Sequence, residues 1–65
     1  MIVVTRLDGK EYLINPHQIE SIETHPDTTL LMLSGKRVIV LENPATIVDR
    51  IVEYRRRIGG FKNEE

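Results

Sequence analysis

The sequence predicts an α+β fold, in which a small antiparallel sheet of about five strands is followed by one C-terminal amphipathic helix. Short runs of β-branched and aliphatic residues are separated by glycine-containing turns, a pattern typical of β-hairpins. Beyond Asn43-Pro44, apolar residues instead recur at the three- and four-residue spacing of a helix. We therefore expect a single domain over residues 1–58, and residues 59–65 as a flexible tail.

Two hairpins with tight glycine turns account for most of the predicted sheet. Asp8-Gly9 joins the first two strands, and both residues tolerate the positive φ that a type I′ turn requires. With a two-residue loop, Arg6 faces Glu11 and forms an exposed cross-strand ion pair. Ser34-Gly35 is the corresponding turn between the fourth and fifth strands.

An Asn-Pro pair follows each hairpin and signals the start of a helix. Asn15-Pro16 leaves room for one helical turn before the third strand begins near Ile19. Asn43-Pro44 begins the C-terminal helix, which extends over about residues 44–58 and ends at Gly59-Gly60. Both halves of the chain contain the order Leu, a polar residue, Gly, Lys and then Asn-Pro. This similarity fits two explanations, an internal repeat or the use of common turn residues, and the sequence does not decide between them.

The fourth and fifth strands are more apolar than a sheet with one solvated face requires. Residues 30–33 and 38–41 are continuous apolar runs, whereas a half-exposed antiparallel strand alternates apolar and polar residues. Because side chains alternate between the two faces of a strand, four apolar residues are expected on one face of the sheet: Ile22, Leu31, Val38 and Val40. The same alternation places the candidate self-association residues on the other face: Leu30, Met32, Ile39 and Leu41. Because one helix covers one face, either the first hairpin folds over the second face or another copy covers it, and we favour a homo-oligomer.

Length and composition narrow the possible classes of function. A chain of 65 residues buries a limited core, and without cysteines it has neither disulfides nor thiolate metal sites. Nine basic residues against ten acidic ones make nucleic-acid binding unlikely as a dedicated role. No apolar run approaches the roughly 20 residues of a membrane span, and the N-terminus lacks the pattern of a signal peptide. We therefore expect a cytoplasmic protein without membrane insertion.

The predicted helix has a wide apolar arc and an arginine-rich end. The arc covers about half of the helical wheel, which is more than packing on one surface needs. Arg55 falls inside the arc, so we expect either a solvated helix end or an arginine that reaches a carboxylate of another subunit or partner. The candidate partner contacts are Arg50, Arg55, Arg56 and Arg57.

No catalytic, cofactor-binding or metal-binding constellation is recognisable in the sequence. It lacks a nucleophile motif, a Gly-rich phosphate loop and residues at metal-ligand spacing. The carboxylates Glu20, Glu23 and Glu42 are expected to be exposed strand residues rather than paired ones. The protein is therefore predicted not to be an enzyme and to use no cofactor, metal or small-molecule substrate.

The order of short motifs along the chain resembles the FlbD/SwrD family of small bacterial flagellar proteins. The resemblance covers residues 1 to about 58, and none of its motifs is catalytic. It rests on Thr5-Arg6-Leu7-x-Gly9, Asn15, Ile19-Glu20-x-Ile22-Glu23, Pro26-Asp27-Thr28, and the Gly35 turn before Val38-x-Val40-x-Glu42.

This resemblance implies a cytoplasmic accessory protein that supports motility and swarming near the flagellar motor. The resemblance implies that the protein supports the power of the motor, and it makes cytoplasmic parts of stator proteins the candidate partners. The alternative is a small RNA-binding regulator, because the opening MIVVTR followed by Gly and an acidic residue also resembles the carbon storage regulator family. The balanced charge makes this alternative the weaker expectation.

Overall fold

The computed structural model describes residues 1–24 and 26–59 and confirms the α+β fold with five strands and one C-terminal α-helix. A single turn of 3-10 helix, Pro16–Gln18, follows Asn15 as expected, and α1 begins at Pro44 as expected. The elements are β1 (Ile2–Thr5), β2 (Glu11–Ile14), β3 (Ile19–Glu23), β4 (Thr28–Met32), β5 (Arg37–Val40) and α1 (Pro44–Gly59).

Helix α1 contains Gly59, the first residue of the expected tail, as its last residue. The expectation of a flexible tail otherwise concerns residues 60–65, which lie outside the described residues. Within the described part of the chain, no helix is both long enough and apolar enough to cross a membrane.

Both hairpin turns have the same geometry, and it is not type I′. In the first, the Gly9 N–H donates to the Arg6 carbonyl at 2.9 Å, and Gly9 has a φ of +86°. In the second, the Gly35 N–H donates to the Met32 carbonyl at 2.9 Å, and Gly35 has a φ of +91°. Among the described residues, no other residue type has a positive φ, whereas a type I′ turn needs two such residues. Each turn is therefore a three-residue loop that ends in a left-handed glycine bulge.

This extra loop residue shifts the predicted pairing of the first hairpin by one position. Thr5 pairs with Glu11, and Val4 pairs with Tyr12. The expected ion pair between Arg6 and Glu11 is therefore wrong. The Arg6 guanidinium lies 4.9 Å from the centre of the Tyr12 ring instead, which is a cation–π contact.

The same shift corrects the predicted faces of β4 and β5. Leu30 pairs with Val38 and not with Ile39, and Thr28 pairs with Val40. Because directly paired residues share a face, a shift of one residue moves a side chain to the opposite face. Leu30 thus belongs to the buried face, where it is fully buried, while Ile39 is 42% exposed on the other face.

A bulge in β3 lets two residues with helix-like spacing reach one face of the sheet. Ile19 pairs with Met32 and Ser21 pairs with Leu31, so the register shifts between them. Ile19 and Ile22 are three positions apart in the chain, yet both pack against the core. The extra residue of the bulge explains this spacing, since a regular strand alternates faces every residue.

The core forms between the two sheets and under the helix. The first hairpin packs on the same face of the second sheet as α1, while Ile39 on the opposite face is 42% exposed. The expected alternative in which the first hairpin covers the second apolar face is therefore wrong. Val40 and the Arg6 backbone form an isolated antiparallel bridge that joins β5 to the end of β1. The buried hydrophobic side chains come from β1, β2, β4, β5 and α1: Ile2, Val4, Ile14, Leu30, Val38, Val40 and Ile47.

Replacing either turn glycine should test the turn geometry. A Cβ at Gly9 or Gly35 meets no atom within 4 Å, so the cost of a side chain is conformational. We expect Gly35→Val to lower the free energy of unfolding by about 1–2 kcal/mol or more, and Gly35→Asn to cost less, because asparagine tolerates a left-handed backbone. Chemical denaturation checks both, and equal midpoints for the two variants would contradict the assigned turn.

Truncating residues on the two faces of the second sheet should test the corrected register. We expect Leu30→Ala to lower the free energy of unfolding by about 2–5 kcal/mol, because it opens a cavity in the core. The matched change Ile39→Ala removes a half-exposed side chain and should cost about 1 kcal/mol or less. Urea titrations of both variants give the comparison, and a larger loss for Ile39→Ala would restore the original face assignment.

Candidate functional site

The edge of β1 that faces away from β2 is satisfied by an ion pair of side chains rather than by a full neighbouring strand. The Val3 carbonyl accepts a hydrogen bond from Arg50 Nη1 at 2.7 Å, and the Thr5 N–H donates to Glu42 Oε1 at 2.9 Å. Next to them, the Leu41 N–H donates to the Thr5 carbonyl at 2.8 Å. The carboxylate and the guanidinium thus take the places of a backbone acceptor and a backbone donor along this edge.

Glu42 is the centre of this cluster. Its Oε2 accepts from the Thr5 hydroxyl at 2.8 Å and from Arg50 Nη1 at 2.8 Å, in addition to the backbone bond at Oε1. The Glu42 side chain is only 10% exposed, while that of Arg50 is 40% exposed. We call Thr5, Glu42 and Arg50 the Glu42 cluster. It ties β1 to the chain leaving β5 and to the second turn of α1.

The hydrogen bonds of the cluster keep Glu42 ionised. Partial burial acts to raise the pKa of the Glu42 carboxyl, since it disfavours the charged form. The bonds from the Thr5 N–H and hydroxyl, from the backbone N–H of Glu42 and from Arg50 outweigh burial and lower the pKa from 4.5 to about 2. A carboxylate with this pKa is ionised near neutral pH and keeps accepting the hydrogen bonds that join β1 to α1.

The expectation that Glu42 is an exposed, unpaired strand residue is therefore wrong. Glu42 lies two residues beyond Val40, the last residue of β5, and its side chain reaches β1. A signal for this contact was present in the sequence, because Thr5 and Glu42 both belong to the motifs that carry the family resemblance. Their separation of 37 residues hides the contact from local pattern analysis.

Glu23 is also paired, although at the surface. Its Oε2 lies 3.3 Å from Nη2 of Arg37, and the two side chains are 29% and 60% exposed. Exposed pairs of this kind contribute about 0–1 kcal/mol.

The Glu42 cluster forms part of the wall of an open groove between β1 and α1, with a volume of about 430 Å³. Further along α1, Glu53, Tyr54 and Arg57 line the same groove, and Met1 and Glu11 complete it on the strand side. Its charged groups are both acidic and basic. We call it the β1–α1 groove.

The four candidate arginines have different roles. Arg50 is held by hydrogen bonds to Glu42 and to the Val3 carbonyl, and its side chain is 40% exposed. Arg56 and Arg57 lie 3.7 and 3.4 Å from the Glu53 carboxylate and are 71% and 77% exposed. Arg55 is exposed and forms no ion pair with another residue of the described chain. Of the four candidate arginines, the exposed ones are therefore Arg55, Arg56 and Arg57, near the end of α1.

The four candidate self-association residues are also divided. Leu30 is buried in the core, and Met32 is partly buried against it. Ile39 and Leu41 are 42% and 58% exposed and remain available for contact. Self-association through these two residues stays a prediction, but the patch of four does not exist as one surface.

The described part of the chain offers no metal-binding group around its one histidine, His17. Among residues 1–24 and 26–59, no three His, Cys, Asp or Glu side chains are grouped closely enough to hold a metal ion. His17 packs edge-on against Tyr54, with ring centres 5.8 Å apart. His25 lies outside the described residues.

Neutralising Glu42 should weaken the fold more than neutralising an exposed carboxylate. We expect Glu42→Gln to lower the free energy of unfolding by about 1–3 kcal/mol, because charge-assisted hydrogen bonds to Thr5 and Arg50 are lost. The matched control is Glu23→Gln, whose ion pair with Arg37 is exposed and should contribute less than about 1 kcal/mol. Equal losses in urea titrations would contradict a central role for Glu42.

Acid should remove the contribution of Glu42 within a defined pH window. Because folding lowers the pKa of Glu42 from 4.5 to about 2, its stabilisation is complete above about pH 4.5 and is lost as the pH falls towards 2. The difference in unfolding free energy between the wild type and Glu42→Gln should therefore shrink across this window. A difference that stays constant while the pH is lowered would contradict the assigned pKa.

Comparison with known proteins places these features in a family. Residues 1–59 match the family model FlbD, described as flagellar and swarming motility proteins. No curated protein and no solved structure gives a significant match to the chain. The matched region contains all five strands, the Glu42 cluster and the whole of α1. This chain therefore belongs to the FlbD family of flagellar and swarming motility proteins, as the order of its motifs indicated.

Proposed function

We propose that this protein is a non-enzymatic accessory factor that supports the power of the flagellar motor through protein–protein contacts in the cytoplasm. The observation that carries the proposal is the family match over residues 1–59, which gives the chain a role in flagellar and swarming motility. Motor power, stator contact and self-association go beyond that role and are the parts that need testing.

The distribution of charge supports contact with a partner through the end of α1. Arg55, Arg56 and Arg57 are exposed in the last turns of the helix, and among residues 1–24 and 26–59 Glu53 is the one carboxylate that pairs with two of them. Three guanidinium groups against one carboxylate leave a local excess of positive charge. Such a surface steers and orients a partner that carries carboxylates. We propose that the partner is a cytoplasmic part of a stator protein.

The protein is also proposed to act as a homo-oligomer. Several large hydrophobic side chains are exposed outside the core, including Leu13 at 67% and Leu41 at 58%. A chain of this size gains stability and binding surface from association with a second copy. The RNA-binding alternative gains no support from the comparisons, since the family match concerns motility.

Deleting the gene and measuring torque on tethered cells tests the motor proposal. We expect a normal number of flagella and weak torque, restored by the wild-type gene. A normal torque per motor with an altered number of flagella would contradict the proposal and place the protein in expression or assembly of the flagellum.

Charge reversal at the helix end tests the proposed contact surface. We expect Arg56→Glu with Arg57→Glu to leave the protein folded but to fail to restore torque. The matched control is Lys10→Glu with Lys36→Glu, which reverses two exposed charges at the hairpin turns and should restore torque. Full rescue by the arginine variant would overturn the role of this surface.

A further inference from the structure

The two sheets have four outer strand edges, and three of them are protected from further pairing. The outer edge of β1 is satisfied by Glu42 and Arg50, and that of β5 is joined to β1 by the bridge between Val40 and Arg6. The edge of β3 is interrupted by its bulge, a device that prevents regular strand addition. In the described part of the chain, β2 pairs with β1 alone and contains neither a bulge nor a proline.

Two residues of β2 direct their backbone groups to its outer edge. Thr5 pairs with Glu11, and Val3 pairs with Leu13. The Thr5 N–H and the Val3 carbonyl point away from β2, towards the Glu42 cluster. In an antiparallel ladder, the residue opposite such an outward-pointing residue points outward as well. The N–H and C=O groups of Glu11 and Leu13 therefore form the β2 edge, and no hydrogen bond within the described residues satisfies them.

A groove with an apolar floor runs beside the β2 edge. It has a volume of about 290 Å³ and lies between β2 and the turn that joins β4 to β5. The half-buried side chains of Tyr12 and Met32 and the buried side chain of Val38 line it. Directly paired residues share a face of a sheet, so a strand added to β2 would direct the residue opposite Tyr12 into this groove. We call it the β2 groove.

We propose that the β2 edge and the β2 groove bind an extended segment of a partner protein, which adds to β2 as an antiparallel strand. The backbone groups of Glu11 and Leu13 hold the segment, and the groove takes one apolar side chain. Glu11 is exposed and forms no ion pair with another described residue, so it selects a basic residue opposite it. Leu13, which is 67% exposed, selects an apolar one. From its N-terminus, the segment therefore has the order apolar, apolar, basic.

Charge favours such a segment over a second copy of this chain. When β2 pairs with its own copy around a two-fold axis, outward-pointing residues face outward-pointing residues. Glu11 then lies opposite Glu11, Leu13 or Asn15 of the other copy, depending on the position of the axis. None of these residues is a cation, whereas a basic residue of a partner segment would neutralise the Glu11 carboxylate.

The β2 edge shares no residue with the proposed contact surface at the end of α1, so its binding is measured on the purified full chain and independently of torque. The probe is the capped peptide acetyl-Thr-Val-Leu-Lys-Thr-amide, added to isotope-labelled protein and followed by NMR. We expect the amide protons of Glu11 and Leu13 to shift downfield and to exchange more slowly, because they gain hydrogen bonds.

The matched control is the same peptide N-methylated at its valine and lysine. It keeps the side chains and the charge but loses the two N–H groups that would face β2, and it should bind about 10-fold more weakly or less. Equal binding of the two peptides would overturn the proposal. So would the absence of shifts at Glu11 and Leu13 at millimolar peptide.

Exchanging charges tests the position of the segment on β2. Glu11→Lys should weaken binding of the peptide by about 2–5-fold, and replacing the peptide's lysine with glutamate should restore the affinity. The control Glu20→Lys changes an exposed carboxylate of β3 and should leave the affinity unchanged. Circular dichroism shows whether both variants are folded. Equal effects of the two variants would overturn the proposed pairing opposite Glu11.

The central leucine of the peptide tests the groove. Replacing it with asparagine should weaken binding by about 10-fold or more, because the apolar floor offers the amide no hydrogen-bond partner. Unchanged binding would overturn the role of the β2 groove. Concentration-dependent shifts of the Glu11 and Leu13 amides in the protein alone would show that a second copy occupies the edge, and would overturn the choice of a partner segment.

Discussion

The arrangement of β1, β5 and α1 depends on the hydrogen bonds that the Glu42 carboxylate accepts. This carboxylate accepts hydrogen bonds from the Thr5 backbone and hydroxyl and from Arg50, which in turn binds the Val3 carbonyl. A carboxylate that is 10% exposed requires such partners, because an unpaired charge there would be costly to remove from water. Glu42 and Arg50 together thereby satisfy the free edge of β1, and an unsatisfied strand edge is a template for unwanted strand pairing.

The two glycine turns decide which apolar residues of the hairpins enter the core. Gly9 and Gly35 both adopt a left-handed backbone after a turn closed by a hydrogen bond three residues back. The loop residue that this geometry adds to each hairpin sets the strand register, and the register determines which apolar residues enter the core. In the second hairpin, it buries Leu30 against Val38 and directs Ile39 outward. The similar Leu, polar residue, Gly and Lys sequences thus encode one turn that the fold uses twice.

Helix α1 contributes to the core on one side and to the protein surface on the other. Its inner side carries Ile47 into the core, and the Arg50 guanidinium reaches the Glu42 cluster. Its outer side keeps Val48 and Val52 at the surface, and its last turns carry the exposed arginines. The outer side of α1 is a part of the molecule where contact with other chains would cost the fold nothing.

The sequence by itself determined the elements and their order. Strand composition, the Asn-Pro pairs and the two turn glycines act within a few residues of one another, so local chemistry was enough to locate all five strands and the start of α1 at Pro44. The motif order likewise indicated the family. Tertiary structure alone decided the register of the hairpins, the partners of Glu42 and the division of the helix into a buried and an exposed side. These features depend on residues as far apart as Thr5 and Glu42, and a single added loop residue reverses which side chains face inward.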